Sequence, residues 1–120
     1  MTVLADVLVG LVAALHVGFL VLEMFLFTTP RGRAVFGTTA EQSATMATLA
    51  ANQGLYNGFL ATGLVWGLVA SDPTGFQFRL AFLLFVVVAG VYGAATVSRR
   101  ILVTQALPAV LALAAVLAAH

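Results

Sequence analysis

The sequence predicts an all-α fold, a transmembrane four-helix bundle running up-down-up-down with both termini outside, and three observations lead there. Of the 120 residues, 62% are hydrophobic and 8% charged, with a mean hydropathy of +1.13, whereas soluble domains carry roughly 25% charged residues. Four apolar stretches, approximately 3–27, 44–70, 76–97 and 101–119, each approach or exceed the ~20 residues that a bilayer span requires. Arg31, Arg33, Arg99 and Arg100 fall in the first and third connections, and short cytoplasmic loops are the ones that collect positive charge. The chain therefore reads as a single integral membrane domain, 1–120, multi-pass in a bacterial inner membrane. A net charge of +1 leaves no electrostatic footprint for nucleic acid. The lack of cysteine excludes disulfides, thiolate nucleophiles, thiolate-held zinc and iron–sulfur clusters.

The first stretch lacks the basic leader of a signal peptide and is too long for a signal core, so it reads as a retained helix. The connection 28–43 holds the breakers Thr29-Pro30-Arg31-Gly32-Arg33 and Gly37-Thr38-Thr39, with an interfacial segment expected around Ala34-Val35-Phe36. A second helix follows. It ends at Ser71-Asp72-Pro73-Thr74-Gly75, a turn signal in which proline pre-sets its own dihedral. The third helix carries the apolar run 80–88 and then Ala89, Gly90, Gly93 and Ala94 before Ser98-Arg99-Arg100 ends it. The fourth holds Pro108 near its middle, which bilayer helices tolerate when neighbours satisfy the freed carbonyl.

Within this oily chain the polar groups are the candidates for chemistry. Asn52, Gln53, Tyr56 and Asn57 fall within an arc of about 140° on the second helix, with Thr45 and Gly63 extending the stripe and Gly54 and Gly58 on the opposite side. Hydrocarbon offers an amide no partner, so the other helices are expected to supply one. Glu23 on the first helix, Tyr92 on the third and Gln105 on the fourth are expected near the same depth, with His16 two turns from Glu23 along one face. Amides and phenols in spans often serve only as glue between helices. An intramembrane carboxyl is different, because it costs several kcal/mol unless neutralised or paired. The ligand- or proton-binding set is thus Glu23, His16, Asn52, Gln53, Tyr56, Asn57, Tyr92 and Gln105. No metal site or cofactor is predicted, since one intramembrane His and one carboxylate per chain are too few ligands. The seams Gly54-x-x-x-Gly58, Gly63-x-x-x-Gly67, Ala89-x-x-x-Gly93 and Gly90-x-x-x-Ala94 read as packing surfaces, and Trp66 as an interfacial anchor.

Taken together, His16-x6-Glu23-Met24-Phe25, the block from Asn52-Gln53-Gly54-Leu55-Tyr56-Asn57 to Gly58-Phe59-Leu60-Ala61, Ala89-Gly90-Val91-Tyr92-Gly93-Ala94 and Gln105-Ala106-Leu107-Pro108-Ala109 resemble a family of small four-span membrane proteins, domain of unknown function 1304. The resemblance covers nearly the whole chain and implies an integral membrane fold without an assigned activity. Phe27 stands where that pattern suggests tryptophan. Two functional readings follow from the residues. In the first, a transporter-like protein binds or moves a small molecule or ion with a proton exchanged at Glu23, working as a homodimer or higher homo-oligomer in the lipid bilayer. In the second, an intramembrane enzyme acts on a lipidic or isoprenoid substrate with Glu23 and His16 as acid and base. The residues lean away from an enzyme, because a single His and a single Glu are a thin catalytic set. His120, at the chain end, is left out of the site.

Overall fold

A computed structural model describes residues 2–120, and all the regular structure among them is helical. Five α-helices occur in the order α1 (Thr2–Met24), α2 (Pro30–Phe36), α3 (Ala40–Val69), α4 (Thr74–Thr96) and α5 (Leu107–Ala119), with a π-helical stretch, Leu102–Ala106, leading directly into α5. Three of these segments are long and apolar enough to cross a membrane: α1, α4 and the continuous Leu102–Ala119. The thirty-residue α3 does not reach that hydropathy, because the residues from Glu41 to Asn57 dilute its apolar second half.

The helix ends follow local chemistry. The Thr29 side chain accepts from the Gly32 N–H at 3.2 Å and donates to the Leu26 carbonyl at 2.6 Å, while Pro30 at the first helical position has no N–H to leave orphaned. Gly37 closes α2 at φ 67°, a left-handed conformation with no Cβ to clash. The segment expected to lie at the interface is therefore a short helix. Thr39 and Gln42 form a reciprocal capping box, each accepting the other's backbone N–H, at 3.1 and 2.9 Å. That box starts α3 at Ala40 rather than at residue 44. Ahead of α4, Asp72 Oδ1 accepts the Phe76 N–H at 3.0 Å and so satisfies one free donor of the first turn.

The chain divides into two compact units. One comprises the residues up to Leu15 together with Leu60–His120; the other is His16–Phe59. In the first, the start of α1, the end of α3, α4 and α5 enclose a core of Ala5, Val9, Val12, Ala13, Leu64, Leu83, Val86, Ala109, Ala112, Ala115 and Val116. Small side chains predominate because the helices come close: a Cβ built on Gly90 would lie 2.8 Å from the Ala106 nitrogen and 2.9 Å from its Cα. Pro108 explains the π-helical stretch, since its ring displaces the carbonyl four residues back and the ladder widens there. In the second unit, the end of α1 packs on the beginning of α3, and Phe27 is buried against the Phe36 ring at 5.1 Å between centroids.

Candidate functional site

The site grows from a seam of small residues on α3. Ser43, Ala47, Ala50, Gly54, Asn57, Ala61 and Leu64 recur at alternating intervals of four and three and form its buried or half-buried face. Within His16–Phe59, Gly54 lets α3 approach α1 closely: an added Cβ would lie 2.7 Å from Met24 Cγ, 3.1 Å from Glu23 Cβ and 3.2 Å from the Leu20 carbonyl oxygen. Gly58 meets Leu20 Cδ1 in the same way at 2.7 Å. Asn57 sits between these glycines on the helical surface, so its side chain is directed at α1. Its amide nitrogen donates to Glu23 Oε1 at 2.5 Å.

This pair joins a carboxyl and an amide that are 34 residues apart. Asn57 is 5% exposed, and Glu23 is half-buried. Neither α1 nor α3 contains an arginine or lysine, so these two helices hold no fixed cation to balance an ionised Glu23. The amide nitrogen occupies one carboxyl oxygen; the other oxygen and the Asn57 carbonyl remain chemically suited to a proton, a metal cation or an ammonium group.

His16 is completely buried, 0% exposed, and its ring meets Phe19 edge-on at 5.1 Å between centroids. It lies two helical turns from Glu23 on the same side of α1, as the spacing of seven requires. Gln105 is half-buried within the π-helical stretch, a local geometry that frequently accompanies functional side chains. Asn52, Gln53 and Tyr56 are exposed, Tyr56 at 55%, and so is Tyr92 at 70%. The polar arc of α3 is therefore split: Asn57, at its edge, turns toward α1 beside Gly54 and Gly58, and the rest faces outward. Close packing decided the face. Glycine and alanine let two backbones approach, and a surface of Asn52, Gln53 and Tyr56 would hold them apart.

A family model described as "Protein of unknown function (DUF1304)" matches residues 10–117, which takes in every residue of this site. The chain belongs to the DUF1304 family. A relative from Lactococcus lactis subsp. lactis, the uncharacterized protein YpaA, is 32% identical over 115 residues, spanning 94% of this chain and 96% of its own. No solved structure matches the chain.

This DUF1304 chain also holds a polar cluster that reading the sequence missed. Arg79 Nη1 donates to the Gly67 carbonyl at 2.7 Å, and its Nη2 lies 3.4 Å from Asp72 Oδ1. Arg79 and Asp72, with Thr2, Asp6, Phe76 and His120, line a cavity of about 80 Å³. The guanidinium ties down an orphan carbonyl at the end of α3, which is a structural task. Asp72 and Arg79, two turns apart, were the available signal.

Proposed function

We propose that the chain is a four-span integral membrane protein, α1, α3, α4 and Leu102–Ala119 each crossing a bacterial inner membrane with both termini outside, and that it binds a small cationic molecule or ion at Glu23 in exchange for a proton. The observation that carries the reading is the Glu23–Asn57 pair. A carboxyl set against an amide in a cation-free pair of helices is neutralised either by a proton or by a bound cation, and the two compete for one group. That competition is the chemical content of proton-coupled binding. The amide's role is to hold the carboxyl in one orientation through both states. Assigning α3 to the membrane is supported by its length of about 45 Å and by the internal partner its Asn57 finds. The orientation is supported by the arginine distribution, with Arg31, Arg33, Arg99 and Arg100 on one side and Arg79 on the other. So short a chain would form a pathway as a homo-oligomer.

The test uses tetraphenylphosphonium, a lipophilic cation, added to purified protein in weakly buffered detergent. Wild type should release close to one proton per occupied site, and Glu23→Gln, which keeps shape and hydrogen bonding, should release none. Equal release from both proteins, or none from wild type, would remove Glu23 from the exchange.

A further inference from the structure

The exposed face of α3 carries a second periodic seam, diametrically placed to the one that packs on α1. Thr45, Leu49, Asn52, Tyr56 and Phe59 follow one another at intervals of four, three, four and three, and all five are exposed, Leu49 at 75% and Phe59 at 53%. They thus share one face of the helix, with the spacing by which one helix can lie along another. The next position in the series, Gly63, is covered by the Phe82 ring, so the open seam stops where α4 covers the helix. It spans about 21 Å at 1.5 Å per residue.

Its composition suits neither lipid nor water. Leu49, Tyr56 and Phe59 form an apolar surface that water does not favour. Among the described residues the Asn52 amide has no hydrogen-bond partner, and hydrocarbon supplies none. The Thr45 hydroxyl is turned back to donate to the Glu41 carbonyl at 3.1 Å, so it asks nothing of a partner. Tyr56 and Phe59 brace each other edge-on at 5.8 Å between centroids, which fixes two of the ridges. A partner must therefore be helical and apolar, in heptad register, with an amide-bonding group at the centre.

We infer that this seam is a homodimer interface and that its occupant is the same seam of a second copy. An asparagine side chain both donates and accepts, so across a two-fold axis Asn52 satisfies Asn52 of the other copy without any further residue. A single amide within an apolar heptad seam also fixes register, because any slip leaves both amides without partners. Two copies inserted in the same orientation bring their α3 helices together in parallel, each seam residue opposite its own counterpart. The shared orientation rests on the membrane reading above; the seam itself does not depend on proton exchange.

The chain has no cysteine, so single-cysteine variants can be oxidised in native membranes without background. Disulfides require Cα atoms within about 7 Å, which makes the reaction a ruler for the seam. Thr45→Cys, Leu49→Cys, Tyr56→Cys and Phe59→Cys should each form a covalent dimer, and Asn52→Cys a smaller yield because it removes the amide, whereas Ala44→Cys and Leu55→Cys on the flanks and Val88→Cys on α4 should remain monomeric. Asn52→Leu placed with Leu49→Cys should lower the dimer yield severalfold by freeing the register. Yields at Ala44, Leu55 or Val88 equal to those along the seam would overturn the interface, as would absence of dimer at every seam position or an undiminished yield with Asn52→Leu. Crosslinking at Asn52 alone would mean antiparallel copies and overturn the shared orientation. Loss of proton release in Glu23→Gln, with crosslinking unchanged, separates this inference from the fate of the proposed function.

Discussion

The proposed exchange rests on a carboxyl and an amide 34 residues apart, and their separate substitutions have different expected signatures. Removing the Asn57 amide leaves a carboxyl oxygen without its donor. A hydrogen bond contributes about 0.5–1.5 kcal/mol net, or about 1.5–3 when one partner is charged, and interhelical bonds in bilayers average about 0.6. Asn57→Ala should therefore cost on the order of 1 kcal/mol, visible as a lower midpoint in thermal unfolding in detergent, and weaken cation binding as Glu23 loses its fixed orientation. Glu23→Gln should leave that midpoint nearly unchanged while abolishing exchange, since glutamine keeps an oxygen for the Asn57 donor. Both residues could be named from the sequence, Glu23 because an acid in a span is costly, Asn57 because it stands in an apolar run. Their pairing could not. A separation of 34 residues has no local pattern, and the helical arc grouped Asn57 with Asn52, Gln53 and Tyr56, which face away from it. The informative neighbours were Gly54 and Gly58: where small residues flank a polar one, that polar residue is carried into the interface.

At the level of elements, close approach sets the tolerances. Gly90 opposes the backbone of Ala106, so a larger side chain there has nothing flexible to push aside, and Gly90→Leu is expected to cost more than the ~1–3 kcal/mol typical of overpacking. Gly58 opposes the tip of Leu20, which can swing away, and Gly58→Leu should fall within that range. Gly10 has no atom within 4 Å of an added Cβ, so Gly10→Ala should be neutral or stabilise by up to about 1 kcal/mol through helix propensity. Chemical denaturation of the three variants in one detergent gives the order directly; a Gly90→Leu protein as stable as Gly10→Ala would contradict the packing described. Helix limits were legible to within a few residues wherever apolarity begins or ends, as at 76–97 against Thr74–Thr96. They were less so at the start of α3, where the Thr39–Gln42 capping box, not hydropathy, decides. The short helix α2 was hidden for a related reason: its proline and glycines are the signs of a loop as well as of a capped helical turn.

For the whole molecule, the membrane character was plain from composition, because 8% charge cannot cover a soluble surface. The number of spans was less plain, since the polar residues that make α3 interesting also lower its hydropathy below that of α1, α4 and Leu102–Ala119. Labelling with an impermeant thiol reagent settles the arrangement: Arg31→Cys and Arg99→Cys should react only after cells are opened, and Asp72→Cys from outside, whereas Arg31→Cys labelled in intact cells would reverse the orientation. The central claim, that a proton and a cation compete for Glu23, is tested most directly by equilibrium dialysis of tetraphenylphosphonium against the purified protein across a range of pH. Because the proton must leave for the cation to bind, affinity should rise with pH, by up to about tenfold per unit, and level off once the carboxyl is ionised without ligand; Glu23→Gln should bind weakly with no pH dependence. Wild-type affinity that stays constant across the whole range, or that rises equally in Glu23→Gln, would contradict the account.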